Sequence, residues 1–191
     1  MNFRTVTLTS LALIAVAANS LLCRMALLGE DGSPSIDPAL FTMIRMTAGT
    51  SVLCALLWRH PKHGMRLTMP PGSWLSALAL ASYGVCFSLA YVTLQTGVGA
   101  LLLFGAVQVT MFGVGIASGT SPRPLEWLGL AAAGGGLVYL YLPGLEAPDV
   151  AGAIYMSVAG VAWGVYSLRG RKAREPLVQN AGNFARAATI S

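Results

Sequence analysis

Apolar runs long enough to cross a bilayer follow one another along nearly the whole chain, separated by short polar segments. A hydrocarbon core of roughly 30 Å is spanned by about 20 helical residues rising about 1.5 Å each. At that length the pattern predicts spans at Val6–Leu22, Ala39–Trp58, Ser73–Leu94, Gly97–Ser118, Glu126–Leu142 and Val150–Leu168. From Leu67 to Pro122 there are 56 residues without Asp, Glu, Lys or Arg. As one helix they would extend about 84 Å, nearly three bilayer cores, so the stretch must fold back on itself. The polar, glycine-containing break Gln95-Thr96-Gly97-Val98-Gly99 places that hairpin.

The remaining connections are short. Gly29-Glu30-Asp31-Gly32-Ser33-Pro34 opens the first, and Pro38 starts the second helix, where a missing N–H does least harm. Arg59-His60-Pro61-Lys62-His63 begins the second loop, and Ser121-Pro122-Arg123-Pro124 and Pro143 to Asp149 form the last two. At the N-terminus, Arg4 followed by an apolar stretch and Ala15-Val16-Ala17 has the look of a cleavable signal peptide. Hydrophobicity nevertheless continues through Leu21, Leu22, Met25 and Leu28, which favours a retained first helix.

Composition agrees with this pattern. Residues are 55% hydrophobic and 10% charged, whereas a soluble domain carries about 25% charged residues. The net charge of +5 forms no basic stripe that would suit nucleic acid. With the N-terminus inside, Arg4, Arg59, Lys62, Arg66, Arg123, Arg169, Arg171, Lys172 and Arg174 face the cytoplasm. Only Arg24 among the basic residues then falls near the outer loops, which hold Glu30, Asp31, Asp37, Glu146 and Asp149. By the positive-inside rule the N-terminus and the segment after the sixth span are cytoplasmic, and the membrane is the cytoplasmic (inner) one. Cys23, Cys54 and Cys86 lie in apolar runs without metal-ligand spacing and read as small buried hydrophobes.

The chain also repeats itself. Ala17-Ala18-Asn19-Ser20-Leu21-Leu22-Cys23-Arg24 and Ala162-Trp163-Gly164-Val165-Tyr166-Ser167-Leu168-Arg169 each close an apolar span with a basic residue. Phe41-Thr42-Met43-Ile44-Arg45-Met46-Thr47-Ala48 and Asn183-Phe184-Ala185-Arg186-Ala187-Ala188-Thr189 each carry Arg just inside the next apolar stretch. Five helices separate the copies, so the second is inverted relative to the first, an arrangement many transporters use. The alignment makes Gly182–Ser191 the beginning of a seventh helix that the chain does not complete.

On Arg45 in the second helix, the Leu94-Gln95-Thr96-Gly97-Val98-Gly99-Ala100 hairpin, Leu125-Glu126-Trp127-Leu128-Gly129, Gly134-Gly135-Gly136-Leu137 and Ala162-Trp163-Gly164, the chain resembles the EamA-like family of the drug/metabolite transporter superfamily. The resemblance covers nearly the whole chain through loose motifs. It implies an all-α, polytopic transmembrane helix bundle: a five-helix repeat over residues 1–142 and the first helix and stub of an inverted repeat over 150–191, about six transmembrane helices in all. Family members have ten helices, so the resemblance makes this chain an N-terminal portion, completed by a missing C-terminal repeat or by a second copy in a homodimer. Two departures stand out. Gln108 occupies a place in the fourth helix where the family often has proline, and Gly119-Thr120 stands where it often has Gly-Glu.

Polar residues within spans are the candidate solute ligands, because each costs free energy unless partnered. Arg45 lies about 10 Å past Pro38. It either snorkels outward to Asp37 or Glu30 or serves as an anion site or gate. Asn19, Gln95 and Gln108 either bond neighbouring helices together or line a cavity. Trp163 and Tyr166, with Tyr91 and Tyr155, have the chemistry to stack on an organic solute, whereas Trp58, Trp74 and Trp127 suit an interfacial belt. Gly115-x-x-x-Gly119 and Gly160-x-x-x-Gly164 fit close helix packing in lipid, and His60-Pro61-Lys62-His63 reads as a solvated loop. Glu126 is the one acidic residue in the spans and sits at an edge, so proton coupling has no evident carrier. No cofactor, metal or catalytic grouping stands out, which argues against a membrane enzyme, and the number of spans argues against a four-helix multidrug pump.

The expectation is therefore an EamA-like transporter that moves a small organic solute or metabolite across the cytoplasmic membrane by alternating access. The alternative is a truncated, non-transporting or accessory membrane protein.

Overall fold

The computed structural model describes residues 3–29, 33, 35–59, 71–140, 149–171 and 173–191. Glu30, Asp31, the His60–His63 motif, Lys62, Arg66, Leu142, Glu146 and Lys172 lie outside the described residues. The described residues form helices α1 (Phe3–Leu27), α2 (Pro38–Arg59), α3 (Trp74–Thr93), α4 (Thr96–Ala117), α5 (Pro124–Leu140), α6 (Val150–Gly170) and α7 (Pro176–Ala188), and no strand. Of these, α1, α2, α3, α4 and α6 are long and apolar enough to cross a membrane. The chain is thus a multi-pass helical membrane protein. The fifth expected span is the 17-residue α5.

Local chemistry sets the helix ends. The Asp37 carboxylate accepts from the Ala39 and Leu40 N–H groups, with Pro38 at the first helical position. Asp149 caps α6 in the same way, accepting from Gly152 N at 2.7 Å. Between α3 and α4 only Leu94 and Gln95 leave the helical conformation, both extended. The hairpin thus falls at the start of the expected Gln95–Gly99 break, and Gly97, the expected first residue of the fourth span, lies within α4. At the far end of α4, Gly119 adopts φ 84°, and Gly119 N and Thr120 N donate to the carbonyls of Ile116 and Gly115. That is a left-handed glycine cap, which leaves no orphan carbonyl at these positions. Gly119 is accordingly a helix stop, and neither it nor Gly115 has a neighbour at its Cβ position among the described residues, contrary to the close packing expected of them.

α3 is the axis of the bundle, in contact with α6, α7, α2, α1 and α4, and α7 packs on α2 as well. Leu80, Phe87, Ala90, Tyr91 and Leu94 of α3 are buried with Cys23 and Leu27 of α1, Met46 of α2 and Met156 of α6. Thr42 and Ser88 share a hydrogen bond of 2.8 Å across the α2–α3 contact, beside Gly84, where any Cβ would run into Met46. Gly160 and Gly164 pack on α4 as their spacing predicts: Cβ atoms there would meet Ala106 at 2.5 Å and Thr110 at 2.9 Å.

These contacts also give helix directions. Gly160 lies against Leu103 and Val107, and Gly164 against Thr110, so α6 runs parallel to α4. The start of α6 adjoins the end of α3, where Asp149 accepts from Thr93 Oγ1 at 3.1 Å. The end of α1 adjoins that same end of α3, since the Arg24 guanidinium donates to the Leu94 carbonyl. Hence α1 runs with α3, while α6 runs against it.

The stub helix begins earlier than the sequence suggests. α7 starts at Pro176 rather than Gly182. Glu175-Pro176, a proline at the first helical position, is the start signal that the repeat alignment passed over. α7 is amphipathic, and its Asn183 side chain is buried, accepting from Ser73 N at 2.9 Å.

Candidate functional site

Arg45 enters the bundle on α2 two turns past its capped start and meets the aromatic face of α3. Tyr83, Phe87 and Tyr91 recur at every fourth position and so share that face. The guanidinium carbon lies 5.5 Å from the Tyr83 ring centroid and 5.0 Å from that of Phe87. Cys23 flanks the guanidinium from α1, and Asn19 flanks Tyr83. Tyr83 packs on Trp163 of α6 at 4.8 Å, and Trp163 on Tyr166 at 5.7 Å. Phe87 meets Tyr91 edge-on at 4.8 Å. Tyr166 ends the series by donating to Asn180 Oδ1 at 2.8 Å.

Of the two snorkelling partners, Asp37 makes no ion pair with Arg45, its Oδ1 accepting from Ala39 and Leu40, and Glu30 lies outside the described residues. The Arg45 Nη1 is instead buried with no hydrogen-bond partner among the described residues. Magnitudes show how incomplete this setting is. An arginine at a helix centre costs about 2.5–3.5 kcal/mol by insertion scales. A desolvated cation–π contact returns about 2 kcal/mol. The rings therefore offset much of the charge's cost, but an unmade hydrogen bond at Nη1 adds a further penalty of about 1–3 kcal/mol. The polar groups beside the guanidinium, the Cys23 thiol and the Tyr83 hydroxyl, are neutral, and an anionic group is a stronger acceptor than either.

The structure thus places Arg45, Asn19 and Trp163 against Tyr83, with Tyr166 against Trp163 in turn. It does not gather Gln95 and Gln108. Gln95 is the exposed N-cap residue of α4, with no side-chain cap bond, and Gln108 is exposed on α4 beside buried Val107. Tyr83, Phe87 and Cys23 were missed by sequence reasoning; the four-residue aromatic spacing on α3 was the available signal. Trp58, Trp74 and Trp127 sit near helix ends and are well exposed, at 75%, 62% and 51%, which suits an interfacial position.

A second polar group lies where α3 starts. Arg169 Nε donates to Ser76 Oγ and Arg169 Nη2 to Ser73 Oγ, each at 3.0 Å. The Arg186 guanidinium lies 5.8 Å from the Trp74 ring centroid. Arg186, aligned by the repeat with Arg45, therefore sits at the start of α3 while Arg45 sits near its middle.

No protein-family model matches the chain, and no solved structure matches it. Over 186 residues, 96% of the chain, it is 47% identical to an uncharacterized protein of Pseudomonas aeruginosa. The alignment covers 62% of that relative, so the chain spans less than two thirds of its length.

Proposed function

We propose that this chain is the N-terminal part of an EamA-like transporter that moves a small organic solute with an anionic group across the cytoplasmic membrane by alternating access. The observation carrying this reading is the Arg45 guanidinium, its Nη1 buried and unpartnered among the described residues, lying over the Tyr83 and Phe87 rings near the middle of α3. A bound carboxylate or phosphate supplies the missing acceptor, and Tyr83 and Trp163 offer ring faces to an organic body.

Two further observations support it. α1 and α6 run in opposite directions along α3 and α4, the relation an inverted repeat requires. Since 186 residues amount to 62% of the Pseudomonas relative, that protein has about 300 residues, leaving room for about four further spans. In this reading the ends of α2 and α6 and the starts of α3 and α5, which carry the basic residues, are cytoplasmic.

The test is reconstitution of the full-length protein in liposomes. Flux of amino acids and of mono- and dicarboxylates is followed by solid-supported-membrane currents and radiolabel uptake. Saturable flux of at least one anion is expected, with Arg45→Gln abolishing it while membrane insertion stays intact. Flux in Arg45→Gln equal to wild type returns Arg45 to a structural role, and no flux across the panel overturns the proposal.

A further inference from the structure

Two arginines occupy matching positions in the last turns of α1 and α6, yet they grip opposite ends of α3. The Arg24 guanidinium donates to the carbonyl of Leu94. Arg169 donates to Ser73 Oγ and Ser76 Oγ at 3.0 Å each. The α3 helix between them has 20 residues, about 30 Å of rise. Arg45 lies between the two grips, against Tyr83 and Phe87, nine and thirteen residues into α3.

We propose that Arg24 and Arg169 are opposing latches that close the two ends of the bundle in turn, so that Arg45 opens to one side of the membrane or to the other; the proposal rests on the transporter reading above.

The chemistry of each grip suits a latch. The Leu94 carbonyl is available because Leu94 and Gln95 are extended where α3 stops, which leaves an oxygen at the helix end for a cation. At the other end Arg169 holds serine hydroxyls, one of them on Ser73, which precedes α3. Both are charge-assisted hydrogen bonds at helix termini, where water is at hand to take over either partner when the grip opens.

Packing indicates what each latch releases. α1 is exposed from Thr5 to Ala17 and buried only at Ser20, Cys23 and Leu27, so its last two turns are what hold it to the bundle. Those turns cover Arg45: Cys23, 2% exposed, flanks the guanidinium. Release of Arg24 therefore uncovers Arg45 from the end where α3 stops. α6, by contrast, is seated on α4 through Gly160 and Gly164, and its start is tied to Thr93 by Asp149. Its Arg169 end packs along α3, and there α7 is joined to it by the Tyr166–Asn180 hydrogen bond, to α3 by Ser73 and Asn183, and to α2 by packing. Release of Arg169 lets that end part from α3.

Cys23 is a built-in reporter. The full-length protein with Cys23 as its sole cysteine is placed in vesicles of both orientations and treated with a membrane-impermeant maleimide. From the side where α3 ends, Arg24→Gln should speed alkylation of Cys23 about tenfold, the factor that loss of one charge-assisted hydrogen bond produces in an equilibrium. Arg24→Lys, which retains a donor for Leu94, should restore slow labelling. Arg169→Gln and, independently, the double variant Ser73→Ala/Ser76→Ala should slow labelling below wild type from the same side. This opposite sign from a site about 30 Å away is what helix glue would not produce. Faster labelling in all the variants, or no change in any, overturns the latches. Flux measured in the same vesicles separates the two claims. Flux without the opposed shifts sinks the latches alone, and opposed shifts without flux keep them while removing the transporter reading.

Discussion

Gly160 of α6 meets the backbone of α4 at Leu103: a Cβ on Gly160 would stand 2.6 Å from the Leu103 carbonyl oxygen and 2.5 Å from the Ala106 Cβ. Neither neighbour is the end of a flexible side chain, so neither is free to give way. In lipid, where burying apolar surface drives little helix association, such close contact is a main source of cohesion. It is also what places Trp163, one turn further along α6, against Tyr83.

Gly160→Ala should therefore destabilise the bundle by about 1–3 kcal/mol, the usual range for overpacking. Gly115→Ala makes the contrast. Among the described residues no other helix comes within 4 Å of its Cβ position, so the change should be neutral or slightly stabilising through helix propensity. Thermal unfolding midpoints in detergent check both. Equal midpoints for the two variants would show that the α4–α6 contact is looser than its geometry.

The candidate site makes its own demand on Tyr83. Its ring lies 5.5 Å from the Arg45 guanidinium carbon and packs on Trp163 at 4.8 Å. Tyr83→Phe keeps the ring and should leave the half-saturation concentration of the transported anion unchanged. Tyr83→Leu removes the ring and should raise that concentration about tenfold, equivalent to about 1.4 kcal/mol. Concentration-dependent uptake in liposomes separates the two. An equal loss in both variants would move the function from the ring to the hydroxyl.

The helices were legible because bilayer thickness imposes a length, and the breaks carry strong signals such as Asp37-Pro38 and Asp149. Less legible were features set by tertiary context. Gly119 shares the spacing of a packing motif with Gly115, yet the left-handed conformation at the end of α4 claims it as a cap. The start of α7 was missed because the repeat alignment weighted Arg186 over Pro176. In the site, Arg45 was legible because a charge in an apolar run is conspicuous. Tyr83 and Phe87 were not, because an aromatic stripe on a buried helix has the same pattern whether it packs a core or holds a cation. Gln95 and Gln108 were chosen for polarity alone; polarity carries no information about which face of α4 looks inward, and both lie exposed.

The direction of α6 leads to the last prediction. α4 and α6 run parallel, as Gly160 beside Leu103 and Gly164 beside Thr110 require. The chain therefore leaves α4 at one end of the bundle and enters α6 at the other. α5 is the helix between them, 17 residues long, rising about 26 Å. It touches the bundle chiefly through α4, with Trp127 edge-on to Phe112 at 5.1 Å. Despite this thin contact it has to cross, since otherwise Asp149 would stand on the same side as Thr120 and its bond to Thr93 would be lost. Reporters fused after Thr120 and after Arg174 should be active only in the cytoplasm, and one fused at Asp149 only outside it. That expectation follows from Arg59, Arg123, Arg169, Arg171 and Arg174, which the positive-inside rule assigns to the cytoplasmic side. Matching signals at Thr120 and Asp149 would mean that α5 lies along the surface, which would break the parallel pairing of α4 and α6. Swapped signals at all three positions would keep the bundle and invert its orientation.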